Sequence, residues 1–291
     1  MIRILGLGDN VVDRFLDRGR MYPGGQAMNV AVYASMLGAE SGYLGVFGTD
    51  EMAMLNKAVL KELHVDTSHA VTEKGENAFA CVRTVAGERV FLGSNKGGVA
   101  RERKWRFSKE DLRYIASFQV VHTDQNSYIE DDLPLLHKTG VLISFDFSWK
   151  LDSIYLRKCA PYADIAFLSL AGMPEEDAKE KMLETAAFGP RLVVGTRGEQ
   201  GSIALIKEEW LSQGIIPTQV TDTMGAGDSF AAACLVALLE SGKITVESVH
   251  TALSAAAEFA AKTCPMEGAF GYGQPFILTQ SERKMIENNH G

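Results

Sequence analysis

VTDTMGAGDSFAAA, residues Val220 to Ala233, carries a polar turn with two glycines directly into an apolar run that continues as CLVALL. A turn of this kind opens a helix whose first N–H groups lack intrahelical acceptors and whose dipole favours negative charge at that end. Gly225 and Gly227 have no Cβ, so the backbone can curl tightly and aim the amides from Gly225 through Ala226 and Gly227 to Asp228 into one concavity. That concavity suits an anion, phosphate above all. Asp228 stands at its rim, where two roles are open. It caps the helix, as Asp and Ser do at helix starts, or it takes a proton from an attacking hydroxyl while the amides hold charge on the group being transferred.

Working outward, apolar runs at Ile2–Gly8, Tyr43–Phe47, Val120–His122, Leu142–Phe147, Ile165–Leu168 and Leu192–Thr196 predict strands. Helical patterns at Ala27–Leu37, Met52–Leu63, Leu133–His137 and Glu175–Ala187 fall between several of them. The alternation predicts an α/β fold, a mostly parallel sheet covered on both faces with ligands at the carboxyl ends of its strands. GLGDNV at Gly6 is no dinucleotide fingerprint: Val11 stands where the third glycine belongs, and no helix starts there.

Of the further stretches, four admit two readings each. Gly24 and Gly25 open an amphipathic helix with Asn29 one turn in, either as a plain turn or, with Asp13, as a place where amides meet a polyol. Phe79–Val85 and Arg89–Leu92 alternate around Ala86-Gly87-Glu88, which predicts a hairpin. Thr196, Gly198 and Gly201 form T-x-G-x-x-G between two strands, an ordinary hairpin turn or a loop whose amides carry nucleotide phosphates. Asp222 makes an Asx-turn or stiffens the glycine turn that follows it. The Ala-rich helix from Thr245 to Lys262 is close-packed core or the wall of a base pocket, and the residues from Tyr272 onward read as a surface tail.

A length of 291 residues is ample for one large core. The net charge of −8 and the short basic clusters, of which RERKWR at 101 to 106 is one, argue against a nucleic-acid face. Trp105 there reads as a packing residue. No run is long enough to cross a bilayer, and the start lacks signal-peptide features, so the expected location is the cytoplasm. Cys81, Cys159, Cys234 and Cys264 are too scattered for a zinc site or a disulfide framework.

DTMGAGDSF closely resembles the DTxGAGDxF signature of the PfkB, or ribokinase-like, carbohydrate kinases, and GDNVVD followed by GGQAMN resembles the family's sugar-binding pair. The resemblance implies one ribokinase-like domain over 1–291, with a β-lid from about 12–22 and 79–98 through which copies of the chain can dimerise. It makes Asp228 the catalytic base and Gly225, Ala226 and Gly227 the anion hole. Asp13, Gly24, Gly25 and Asn29 take the sugar. Thr196, Gly198 and Gly201, with Gly225 and Gly227, take ATP, accompanied by Mg²⁺, and Asp222 is a candidate ligand for a monovalent cation such as K⁺.

The pattern also departs from the family. FLSLAGM at Phe167 to Met173 puts Ser169 in place of the asparagine of N-x-x-E and offers no glutamate three residues on, leaving magnesium mainly to ATP and water, with help from Asp146 or Glu175 left open. TDEMA at 49 to 53 replaces GDDxxG, and FDFSWK at 145 to 150 replaces DxNxR. HTDQN, SFDFS, SNKGGV and the ending AKTC with GAFGYG resemble most the bacterial fructosamine kinases of the fructoselysine 6-kinase type. That branch implies phosphorylation at O6 of a fructose joined to an amino acid. Arg89 and Lys96 are then candidate partners for the carboxylate, or solvated surface charges. A kinase for a plain ketose or a nucleoside, and a sugar-binding regulator without turnover, are the alternatives.

Overall fold

The computed structural model describes residues 1–85, 88–280 and 282–283. In chain order the strands begin β1 (Arg3–Gly8), β2 (Val11–Phe15), β3 (Arg20–Gly24), β4 (Glu40–Phe47), β5 (Val71–Thr72), β6 (Ala78–Val85) and β7 (Glu88–Ser94). They continue as β8 (Val120–Asp124), β9 (Leu142–Ser148), β10 (Ile165–Ser169), β11 (Leu192–Thr196), β12 (Ser202–Ile206), β13 (Glu209–Gln213) and β14 (Gln274–Pro275). The helices are α1 (Gln26–Met36), α2 (Glu51–Glu62), α3 (Gly98–Glu102), α4 (Lys109–Ala116), α5 (Leu133–His137), α6 (Ser153–Cys159), α7 (Glu175–Ala187), α8 (Ala226–Ser241) and α9 (Val246–Thr263).

A nine-stranded sheet runs β13-β12-β11-β10-β9-β8-β1-β4-β5. From β11 to β5 the neighbours are parallel, while β12 and β13 close one edge antiparallel. Parallel strands need crossovers, and the helices that supply them cover both faces. Because successive side chains point to opposite faces, each strand feeds two cores. Ile4, Val120, Phe167 and Val194 pack with α1, α8 and α9, whereas Leu5, Val121, Ala166 and Val193 pack with residues of α4, α5, α6 and α7. Near-continuous apolar runs in the sequence are the direct signature of that double burial.

The small α8 and α9 side chains let these helices lie close together: Ala231, Ala232, Ala252 and Ala256 are fully buried. Thr245 starts α9 with a reciprocal capping box, its hydroxyl taking Ser248 N–H and Ser248 Oγ taking Thr245 N–H.

A second sheet, β14-β3-β2-β6-β7, stands beside the first. Buried asparagines join its base to the main sheet. Asn10 donates to Val46 O and Tyr43 Oη at 2.9 Å each, and the Asn77 side chain accepts from Gly48 N–H at 3.1 Å. The hairpin of β6 and β7 forms as the alternation predicts, although Ala86 and Gly87 of its turn lie outside the described residues. One expectation fails. The described residues after Tyr272 are no mere surface tail: β14 pairs with β3, and Glu282 is 5% exposed. Only a few apolar residues carry that packing, which is why periodicity missed it. Trp105 does pack, stacking on Phe107 and donating to Ser127 O at 3.0 Å.

Candidate active site

Parallel order puts the carboxyl ends of β1, β8, β9, β10 and β11 on one edge of the main sheet, and the amino ends of α1 and α8 come to the same edge. Gly25 is the N-cap of α1 at φ 109°, a conformation L side chains rarely adopt. A Cβ there would lie 2.7 Å from Asn10 Cα and 2.9 Å from Val11 N, so the bend fits only glycine. Gly225, the N-cap of α8, has φ 70°, and its Cβ would meet Tyr33 Oη at 2.6 Å.

No side chain caps α8. Asp228, in the first turn and 8% exposed, instead accepts a 2.6 Å hydrogen bond on Oδ2 from Asn29 Nδ2. A short, charge-assisted bond of this kind couples the two helix starts across 199 positions of sequence. Asn29 is 3% exposed, and among the described residues its Oδ1 finds no donor. A buried acceptor left unpaired is costly, and a ligand hydroxyl would satisfy it. Asp13, on β2, reaches the same place: a Cβ on Gly24 would lie 3.0 Å from Asp13 Oδ2 and 3.9 Å from Asn29 Oδ1.

Within the turn, Ala226 N–H is donated to Thr223 O at 3.2 Å. Gly227, one position further, lies where a helix leaves its N–H without an intrahelical acceptor. Asp222 holds the turn from both sides, Oδ1 accepting from Met224 N–H at 2.9 Å and Oδ2 from Gly268 N–H at 3.3 Å. Its Asx-turn and its stiffening of the loop therefore coexist.

Thr196 ends β11, and Gly198 and Gly201 sit at φ 58° and 81° in the turn that follows, closed by Arg197 N–H to Gly201 O at 2.7 Å. Residues 197–200 and 171–175 border an open depression of about 650 Å³. Another cavity, about 470 Å³, lies at the amino ends of β8 to β10 and is lined by Val120, Leu142 and Ile165; none of the predicted site residues borders it. Lys96 is exposed beyond β7, with its carbonyl taking Tyr128 Oη at 3.1 Å. The side chain of Arg89 lies outside the described residues.

Asp146 belongs to a buried acidic group beside α1 whose other members, Asp9 and Asp124, the sequence patterns do not single out. Asp9 Oδ1 takes Ala27 N–H at 2.9 Å, Asp124 Oδ2 takes Ser127 Oγ at 2.7 Å, and Asp146 Oδ2 takes Gln26 Nε2 at 3.3 Å. Asn126 Nδ2 holds the other end of Gln26 at 3.1 Å. The signal was an acid at the carboxyl end of three apolar runs, in GLGD, HTD and SFD. Burial raises all three carboxyls above the usual range, and Asp124 is pushed further by Asp9. For Asp146 burial outweighs the bond from Ser148 N–H and carries the pKa to about 7.

A carboxyl that binds its proton more tightly in the folded state stabilises the fold fully below its ordinary value of 3.8, and that contribution is lost as pH rises toward about 7. Asp146→Asn should therefore raise the unliganded Tm at pH 7.5 and leave it nearly unchanged at pH 4. Thermal unfolding of both proteins across that range is the check, and parallel Tm profiles would refute it.

Two helix starts facing one carboxylate across a buried, unpaired amide oxygen suit a carbohydrate kinase. The chain belongs to the pfkB family of carbohydrate kinases, whose model matches residues 10–270. It is 40% identical over 279 residues to the fructosamine kinase FrlD of Bacillus subtilis, covering 95% of this chain and 96% of that one. It is 36% identical over 264 residues to the fructoselysine 6-kinase of Escherichia coli, covering 91% and 98%. The fold is that of a fructokinase with bound ATP from Xylella fastidiosa, at TM-score 0.76, 19% identity and 99% coverage of each chain. A ribokinase from Arabidopsis thaliana, complexed with ribose and ATP, gives TM-score 0.74 at 20% identity, covering 98% and 97%. Among the described residues no helix is long and apolar enough to cross a membrane.

Proposed function

We propose that the chain transfers the γ-phosphoryl group of ATP to the O6 hydroxyl of a fructosamine, a fructose joined through C1 to an amino acid, in the cytoplasm. The observation that carries the mechanism is the 2.6 Å bond from Asn29 to Asp228, which sets the proton acceptor beside an unpaired sugar-side carbonyl. Identity of 40% over 95% of the chain to a fructosamine kinase supports the substrate class.

Asp13 and Asn29 orient the sugar hydroxyls, and Gly24 and Gly25 let the ring approach the backbone. Asp228 removes the O6 proton as the oxygen forms its bond to the γ-phosphorus and the bond to the ADP oxygen breaks. The amides of the Gly225–Asp228 turn and the α8 dipole stabilise the charge that develops on the phosphoryl oxygens. ATP is the phosphoryl donor, and Mg²⁺ bound with it would neutralise phosphate charge. Thr196, Gly198 and Gly201 form the nucleotide loop over the depression. Mg²⁺ would be carried largely by phosphates and water.

The five-stranded sheet serves as the lid and as the dimer contact. Lys96 and Arg89 are the cations assigned to the amino acid carboxylate. A K⁺ ion beside Asp222 would add charge to the phosphate turn, through lone pairs not used by Met224 and Gly268.

Comparing kcat/KM for fructoselysine, fructose and adenosine with coupled ADP detection tests the assignment. Fructoselysine should be preferred. Preference for fructose or adenosine would replace the substrate, and sugar binding without ADP release would make the chain a regulator.

A further inference from the structure

Asp13 and Arg14 are neighbours on β2 and therefore face opposite sides of the small sheet. On the side away from Asp13, Arg14 is 8% exposed and its Nη2 lies 3.1 Å from Glu282 Oε1 and 3.2 Å from Oε2. The guanidinium is covered by the Phe276 ring, 4.3 Å from its centroid, and flanked by Phe79 at 5.5 Å. Glu282 is itself fixed, Oε2 accepting from Thr279 N–H and Thr279 Oγ1 at 2.8 Å each. The chain that delivers Glu282 is pinned along its way. Gly273 O accepts from Arg20 Nη2 at 2.7 Å, β14 pairs with β3, and Phe276 N–H is donated to Gly19 O at 3.1 Å.

We propose that the C-terminal segment is a clasp that sets the register of β2, so that Glu282, through Arg14, is a positioning residue for the sugar ligand Asp13. A slip of one residue in β2 would turn Asp13 away from the site and Arg14 into it. Buried ion pairs are best attested as devices that fix such a register, and this one joins residues 268 positions apart. The bonds that pin the clasp run to β2, β3 and Gly19 rather than to the phosphate turn. Its loss therefore acts on sugar binding and spares the nucleotide. The inference rests on Asp13 being a sugar ligand.

The test is steady-state kinetics of the full chain with fructoselysine, at a temperature well below each variant's Tm. Glu282→Gln should raise the sugar KM about tenfold, as displacing a positioning group by a fraction of an ångström does, with kcat and the ATP KM within about twofold. Phe276→Leu, which keeps the pair and removes its aromatic cover, should raise the sugar KM by a few-fold and decides the matter if Glu282→Gln does not fold. Amide exchange in residues 11–15 should quicken in both variants while 192–196 stays protected. Asp13→Asn serves as the control. Should Asp13→Asn leave the sugar KM unchanged, its role as ligand falls; should Asp13→Asn raise it while neither clasp variant does, the clasp falls alone. Equal losses in kcat and both KM values would mark Glu282 as merely structural and overturn the proposal.

Discussion

Asp228→Asn is expected to lower kcat roughly 100- to 10,000-fold, the span for losing a positioned base, while the sugar KM changes by no more than about threefold. The substitution is nearly isosteric and keeps an acceptor at the Oδ that takes Asn29 Nδ2, so the contact joining α1 to α8 survives. What disappears is the capacity to take a proton. Loss of a negative charge in the first turn of α8 costs the helix only about 0.3 to 1 kcal/mol, too little to unfold a domain of this size. Circular dichroism and sugar binding should therefore be close to wild type. Single-turnover measurement of ADP release separates the alternatives: an unchanged rate would reduce Asp228 to a helix-start residue, and a large rise in KM at constant kcat would make it a sugar anchor.

The layered sheet was legible because a strand buried on both faces must be apolar throughout, and Leu192–Thr196 and Leu133–His137 appear with the bounds their patterns predict. The glycine turn before α8 was legible for a different reason. Gly225 is required by its φ and by Tyr33 beneath it, so chemistry and sterics leave the same mark on the sequence. Two parts were not legible. The Asp9, Asp124 and Asp146 group comes from β8, β9 and the residue just past β1, and each acid alone reads as the end of an apolar run. The clasp depends on Arg14 meeting Glu282, a pairing that no local period encodes. Pattern reports burial and turns; it is silent on which polar groups meet across the fold.

Asn29→Asp should be nearly as damaging as loss of the base, with a signature of its own. Asn29 Nδ2 and Asp228 Oδ2 are 2.6 Å apart and both residues are more than nine-tenths buried. Two carboxylates at that distance cannot both ionise, so the pair retains a shared proton through the range where Asp228 alone would accept one. At neutral pH kcat/KM should fall roughly 100-fold, as it does when a general base is held protonated. The acidic limb of the kcat/KM profile should move to higher pH, and activity should climb as the second proton leaves. Asn29→Leu separates charge from contact. It removes the sugar-side acceptor and the bond to Asp228, raises the sugar KM, and moves the acidic limb upward by less than Asn29→Asp does, because a donor is lost but no second acid is added. A pH profile for Asn29→Asp that parallels wild type would mean that the two side chains do not meet in the working enzyme.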